Sequence, residues 1–284
     1  MHDKKINFDI ENPEHVYLLG YFWADCSFNI DKQNRGNFSF EIKSEDFEKI
    51  EHIVKNVGFT HVGKRFRKKG KQLSKISCSQ QSSVRFFLDY HFNERTKYCD
   101  IYFNISDCLK VYFIKGFLDG DGSISLDKNG LFRIGFNGPK NQNWSFLEDF
   151  CLKNDVSWVI YRKERKSRDS THKQKIHGYS IFEFTKITER LKFCETLSCC
   201  KIGLDRKIKI YHDFKSKFNK KLETVKRNKL FKKRRIAPGI IEILPSRFSV
   251  YSLISQCGQQ KYLGRFNSLE ESIKVQVFFH KKKQ

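Results

Sequence analysis

Two ten-residue stretches constrain this chain more than any other feature. Tyr17-Leu18-Leu19-Gly20-Tyr21-Phe22-Trp23-Ala24-Asp25-Cys26 and Phe113-Ile114-Lys115-Gly116-Phe117-Leu118-Asp119-Gly120-Asp121-Gly122 are both apolar runs with two small residues four apart and an acid directly after the second. The small pairs are Gly20 with Ala24 and Gly116 with Gly120. Positions i and i+4 share one helix face, so such a stripe lets two helices pack almost backbone to backbone. The acid then falls at the end of each helix. If the helices pair about a pseudo-twofold axis, Asp25 and Asp121 emerge side by side at the bottom of the seam.

Carboxylates placed there repel each other and the negative end of the helix dipole. A divalent cation relieves both conflicts, and hard oxygen ligands with open positions suit Mg2+, or Mn2+ in its place. An EF-hand reading of the stretch from Asp119 fails, because Ile124 stands where that loop needs glycine and Gly130 where it needs glutamate.

The surroundings of the two motifs repeat as well. Ser27 to Ser44 alternates, with Phe28, Ile30, Phe38, Phe40 and Ile42 on one face and polar residues on the other, which predicts a hairpin. A helix capped at Ser44 follows, with an apolar stripe of Phe47, Ile50, Ile53, Val54 and Val57 and an end at Gly58. A second hairpin spans Phe59 to Gln80, and a short helix Val84 to Phe92. After the second motif come a hairpin from Ser123 to Asn137 and a helix striped by Trp144, Leu147, Phe150 and Cys151. A further hairpin follows around the polar loop Arg165 to Lys175, then helices near Thr188–Leu197 and Asp205–Phe218. The motif acids lie 96 residues apart (121 − 25), too long a period for a solenoid and right for a duplicated half-domain. The expected fold is α+β: two αββαββα units whose antiparallel sheets form a saddle wide enough for a duplex.

A net charge of +23 calls for an acidic partner, and nucleic acid is the best match. No signal-type or membrane-length apolar segment is present, so a soluble intracellular protein is expected. Nine cysteines without a Cys-x-x-Cys pair point to reduced thiols. His172 and His177 have zinc-like spacing but no cysteine pair beside them.

With both motifs and their flanking order in view, the first ~218 residues resemble the single-chain, two-motif form of the LAGLIDADG homing endonucleases. The resemblance implies site-specific double-strand cleavage of DNA by a monomer, with metal on Asp25 and Asp121. It also implies basic residues near the scissile phosphates. Lys97, in Arg95-Thr96-Lys97, fits that role in the first half, and Lys201 in the second, with Arg206 and Lys207 competing. Asp119, opposite Trp23 in the first motif, is outside the catalytic set. Cys26 replaces the usual glycine of the helix-to-strand turn, which predicts distortion around Asp25.

Base reading falls to the polar hairpin faces, at Asn29, Asp31, Arg35, Ser39, Glu41, Lys43, Arg133 and Asn137. Lys64, Arg65, Arg67, Lys68 and Lys69 are expected on phosphates. A non-cleaving scaffold of the same kind, an intron RNA maturase or a transcription regulator, is the rival reading. An intein is disfavoured by Met1 and by the Lys283-Gln284 end, so a free-standing nuclease is expected.

The expected organisation is a first half over 1–104, a second over 105–218, a basic linker over 219–237 and a module over 238–284. The string Tyr262-Leu263-Gly264-Arg265-Phe266-Asn267-Ser268-Leu269-Glu270-Glu271 resembles the Apetala-type DNA-binding module, which implies three strands, a helix capped at Ser268, and base contacts through residues such as Arg247 and Arg265.

Overall fold

The computed structural model describes residues 6–32, 35–66, 72–168, 174–230, 234–237, 240–244, 247–251, 262–266, 268, 270 and 271. The chain divides into two compact units, Met1–Lys215 and Ser216–Gln284.

The first half of the larger unit runs α1 (Pro13–Asp25), β1 (Ser27–Ile30), β2 (Gly36–Lys43), α2 (Ser44–Val57), β3 (His61–Phe66), β4 (Gln72–Cys78), α3 (Gln81–Asp89) and α4 (Asp100–Asn104). The second runs α5 (Lys110–Gly120), β5 (Gly122–Leu126), β6 (Phe132–Pro139), α6 (Ser145–Lys153), β7 (Val159–Arg168), β8 (Gln174–Glu183), α7 (Ile187–Ser198) and α8 (Asp205–Leu230). Each half builds one antiparallel four-stranded sheet, in the orders β1-β2-β4-β3 and β5-β6-β8-β7. The fold is thus α+β, with the two-sheet saddle that the repeat predicts.

Pro13 opens α1, where a fixed φ suits the first turn, and the Asn12 side chain accepts from the Glu14 N–H at 2.9 Å. From Val16 to Ala24 every residue of α1 is buried, as befits a helix that packs on all sides. The sheets bury one face only. Phe38, Phe40, Ile42 and Ile76 face the core in the first, and Phe132, Ile134, Phe136 and Phe182 in the second. Asn29, Asn37, Lys43, Arg133 and Asn137 lie exposed on the opposite faces.

Several boundaries differ from expectation. Ser44 is the first residue of α2 rather than its cap, and its hydroxyl instead accepts from Ser74 Oγ at 3.2 Å. α4 carries no periodic signal long enough to be read. β7 and β8 run well into the segment expected to be loop, because cross-strand pairing outweighs the polarity of the residues. Much of the basic stretch after Lys215 is helical as the end of α8.

The smaller unit holds an antiparallel sheet of β9 (Arg234–Ala237), β10 (Ile240–Leu244), β11 (Arg247–Tyr251) and β12 (Tyr262–Phe266), ordered β12-β11-β10-β9. It has one strand more than the three expected, and β9 falls inside the stretch expected to be linker. The Glu271 N–H donates to Ser268 Oγ at 3.2 Å, the capping contact that the sequence predicts.

Candidate active site at the helix seam

The larger unit is organised on the contact of α1 with α5. A Cβ placed on Gly20 would collide with the Phe113 carbonyl, one on Gly116 with the Tyr17 carbonyl, and one on Gly120 with Ala24 Cβ. The small residues therefore sit where the two backbones touch. The same built Cβ on Gly120 would stand 3.4 Å from Asp25 Oδ2, so the first acid lies against the residue that precedes the second.

The Asp25 carboxylate acts on Asp121. Burial, and then the Asp25 carboxylate, push the Asp121 carboxyl up to about 7. Burial likewise raises Asp25 above its ordinary value, while Arg95 and Lys207 pull it back. Asp25 is reachable by solvent yet ringed closely enough by protein to lose hydration.

Two cations frame the acids: Arg95, the neighbour of the expected Lys97, and Lys207, one of the two residues competing with Lys201. Arg95 Nη1 lies 3.4 Å from Asp121 Oδ2, and its Nη2 donates to the Cys26 carbonyl at 2.7 Å. Lys207 Nζ donates to the carbonyls of Leu118, Asp119 and Gly122 at 2.6, 2.8 and 2.6 Å, closing the negative end of α5 around Asp121. Lys97 points its ammonium at Glu94, 3.1 Å away, and Lys201 is exposed between α7 and α8. Arg206 is held by Asp46 at 3.0 Å. Arg95 was in view as a neighbour of Lys97. Only the fold shows that the chain turns the earlier residue inward.

Cys26 does not distort the turn. Its φ of −70° and ψ of 156° are extended backbone, open to any residue, and its thiol donates to the Phe92 carbonyl at 3.8 Å. Asp119 is buried away from the acid pair, and its Oδ2 accepts from Tyr17 OH, the Leu204 N–H and the Lys115 ammonium.

The donor set fits a divalent cation by its chemistry. Two hard carboxylates, one favouring a proton near neutrality because it is buried beside the other, form a site where a cation replaces that proton. Among the described residues no three His, Cys, Asp or Glu side chains converge. Mg2+ ordinarily keeps waters and takes phosphate oxygens, so two protein carboxylates suffice for it.

The open sheet faces carry the expected polar residues, several already paired. Asp31 holds Arg35 at 3.1 Å, Glu41 holds Arg65 at 3.0 Å, and Asp127 holds Arg133 at 3.0 Å. Ser39 shares the open face with Glu41 and Lys43. Lys64 and Arg65 are consecutive on β3 and therefore take opposite faces, so only Arg65 looks out with Lys43 and Glu41. Arg67, Lys68 and Lys69 lie outside the described residues. In the smaller unit Arg265 pairs with Ser249 and Arg247 with Leu244 in the ladder.

No protein-family model matches the chain. An uncharacterised protein of Methanocaldococcus jannaschii, MJ0314, is 25% identical over 169 residues, which cover 56% of this chain and 60% of that protein. The match therefore spans less than two thirds of the relative's length. Among solved structures, I-DmoI in complex with DNA and Mn aligns with 68% of this chain and 100% of its own at 18% identity and a TM-score of 0.41. The LAGLIDADG meganuclease I-CpaMI bound to uncleaved DNA aligns over 72% and 90% at 16% identity and 0.44. The LAGLIDADG homing endonuclease I-GzeII in complex with a DNA target aligns over 76% and 92% at 14% identity and 0.43. The structural neighbours of the chain are thus LAGLIDADG homing endonucleases. No helix among the described residues is long and apolar enough to cross a membrane.

Proposed function

We propose that this chain is a divalent-metal-dependent endonuclease that cuts both strands of duplex DNA at a specific site. The observation that carries the reading is the approach of Asp25 and Asp121, one from each half, at the end of the seam, where Asp25 lies against Gly120 and its carboxylate raises the Asp121 carboxyl. A duplicated scaffold with one acid per half suits a duplex, which presents one scissile phosphate per strand. Metal bound by the two aspartates supplies charge stabilisation and an activated water. Asp25 and Asp121 hold the cation, Arg95 offsets part of the rise of the Asp121 carboxyl and links it to the Cys26 carbonyl, and Lys207 fixes the backbone on both sides of Asp121. Hydrolysis adds a water oxygen to phosphorus and breaks one P–O ester bond, with a proton passing to the departing oxygen.

The open sheet faces supply register and base contacts through Asn29, Ser39, Lys43, Arg65, Arg133 and Asn137, with Arg35, Arg65 and Arg133 pre-set by their acidic partners. In this reading the smaller unit adds a second contact to DNA, a role that rests on the sequence resemblance of residues 262–271 alone.

Purified protein is incubated with a randomised duplex library and Mg2+. Broken ends clustering on one sequence are expected, and Asp25→Asn abolishes them while leaving affinity intact. Protected sites without broken ends would identify a binder instead, and preference for intron RNA a maturase.

A further inference from the structure

Gln142 is a polar side chain left only 4% exposed. It lies between β6 and α6, where its N–H donates to the Pro139 carbonyl at 2.9 Å. Its stem packs on Gly138, where a Cβ would come within 2.9 Å of Gln142 Cγ. So held, its amide reaches out of its own half. Nε2 donates to the Arg95 carbonyl at 2.6 Å, as well as to the neighbouring Asn143 carbonyl at 3.1 Å.

The turn that carries Arg95 closes with the Lys97 N–H on the Glu94 carbonyl at 2.8 Å, a bond that leaves the Arg95 carbonyl to find its partner elsewhere. At the far end of the residue, the guanidinium meets the Cys26 carbonyl at 2.7 Å but Asp121 Oδ2 at 3.4 Å. A contact that long sits at the edge of a hydrogen bond, so a few tenths of an ångström in the Arg95 backbone decide whether it is made.

The first half has a counterpart at the same offset. Gln142 follows Asp121 by 21 residues (142 − 121), and Asp46 follows Asp25 by 21 (46 − 25). Asp46 is likewise buried, and its carboxylate accepts from Arg206 Nε at 3.1 Å and from Nη2 at 3.0 Å, holding the residue directly before Lys207. Each half thus grips, from one place in its repeat, the segment of the other half that bears a cation of the site. Lys207 has three carbonyls of its own, whereas among the described residues Arg95 meets the Cys26 carbonyl alone, so more of its placement falls on Gln142.

We propose that Gln142 is a positioning residue of the acid-pair site: by holding the Arg95 carbonyl from the opposite half, it sets the guanidinium against Asp121. The inference rests on the reading of that pair as the nuclease site.

The test uses Gln142→Met, which keeps the length and loses the donor, and Gln142→Glu, which keeps the shape and turns an acceptor toward the carbonyl. Urea denaturation identifies the folded variants. In the folded, metal-free chain the Arg95 Nε–H resonance, assigned by its loss in Arg95→Gln, is expected to lose heteronuclear NOE in both. The resonance of Arg190, whose Nε donates to the Phe184 carbonyl at 2.7 Å, is expected to keep its value. With Mg2+ and a duplex site selected by the parent chain, single-turnover cleavage at saturating DNA is expected to slow about tenfold, with affinity within about twofold. In the Arg95→Gln background, Gln142→Met is expected to add no further loss. An unchanged Arg95 resonance or an unchanged cleavage rate in a folded variant overturns the proposal, as does a loss that adds in full to that of Arg95→Gln. A parent chain that cuts no duplex overturns the function proposed above, and the Arg95 resonance still decides the positioning.

Discussion

Arg95 and Lys207 stand in the same relation to the two motifs. The Arg95 guanidinium donates to the carbonyl of Cys26 and the Lys207 ammonium to that of Gly122, and each carbonyl belongs to the residue following a motif acid. Beyond this shared bond they diverge, since Arg95 also reaches Asp121 across the halves, whereas Lys207 holds Leu118 and Asp119 within its own.

Both cations pull the motif carboxyls down, so removing either lets them rise. Arg95→Gln and Lys207→Met are each expected to move the acidic limb of the cleavage-rate profile to higher pH. Lys207→Met also leaves three carbonyls short of a charged donor and costs about 3 kcal/mol of stability. Arg95→Gln, at a half-exposed site, costs less. Cleavage of a selected duplex across pH, with urea denaturation beside it, separates the two effects. A limb that stays in place in both variants removes these residues from the site.

The raised carboxyl makes a signed prediction about stability. Asp121 goes from an ordinary value of 3.8 to about 7 in the folded chain, so the folded state holds a proton that the unfolded state has lost. Without metal, stability therefore falls as pH rises from about 4 to about 7 and stays low above that. A bound cation offsets the penalty, so Mg2+ is expected to raise the melting temperature more at pH 8 than at pH 5.5. Asp121→Asn is expected to melt higher than the parent without metal at pH 8 and to lose most of the Mg2+ response. Equal Mg2+ shifts at both pH values would count against a cation at this pair.

The seam leaves no room for a side chain at Gly20 or Gly116. Gly20→Ala and Gly116→Ala each force a methyl group into a facing carbonyl, and each is expected to cost about 3 kcal/mol, read as a lower denaturant midpoint. Gly130, whose built Cβ meets nothing within 4 Å, takes alanine at a smaller cost set by its φ of 71°.

The seam and the acids were legible because small-residue spacing and an acid at a helix end leave a local mark, twice over. The sheets were legible because Phe38, Phe40 and Ile42 alternate with polar residues. The cations are legible only in part, Lys207 as one competitor among three and Arg95 not as a candidate. Arg95 and Lys97 sit two apart in a turn, and which one points inward depends on where the chain leads afterward. Lys207 lies 112 residues after Arg95 (207 − 95), not 96, because the second half is longer, so the repeat offset does not single it out from Lys201 and Arg206. The extension of β7 and β8 leaves no such mark, because Arg165 to Arg168 and Gln174 to Lys175 are all polar and strand pairing there has no apolar face to announce it.

Asp119 provides a check on the division between scaffold and chemistry. It is fully buried with Lys115, one turn earlier on α5, and takes Tyr17 OH at 3.1 Å and the Leu204 N–H at 2.9 Å on the same oxygen. The pair ties α5 to α1 and to the start of α8, the helix that carries Lys207. Asp119→Ala strands the Lys115 ammonium and is expected to cost about 4 kcal/mol, since breaking a buried pair leaves an uncompensated charge. Replacing both partners, Lys115→Met with Asp119→Leu, removes the charge entirely and recovers part of that loss. If Asp119 is scaffold, the double variant, once folded, cuts a selected duplex at a rate within a few-fold of the parent and with the same pH profile. A folded double variant that binds the duplex but no longer cuts would move Asp119 into the catalytic set, beside Asp121.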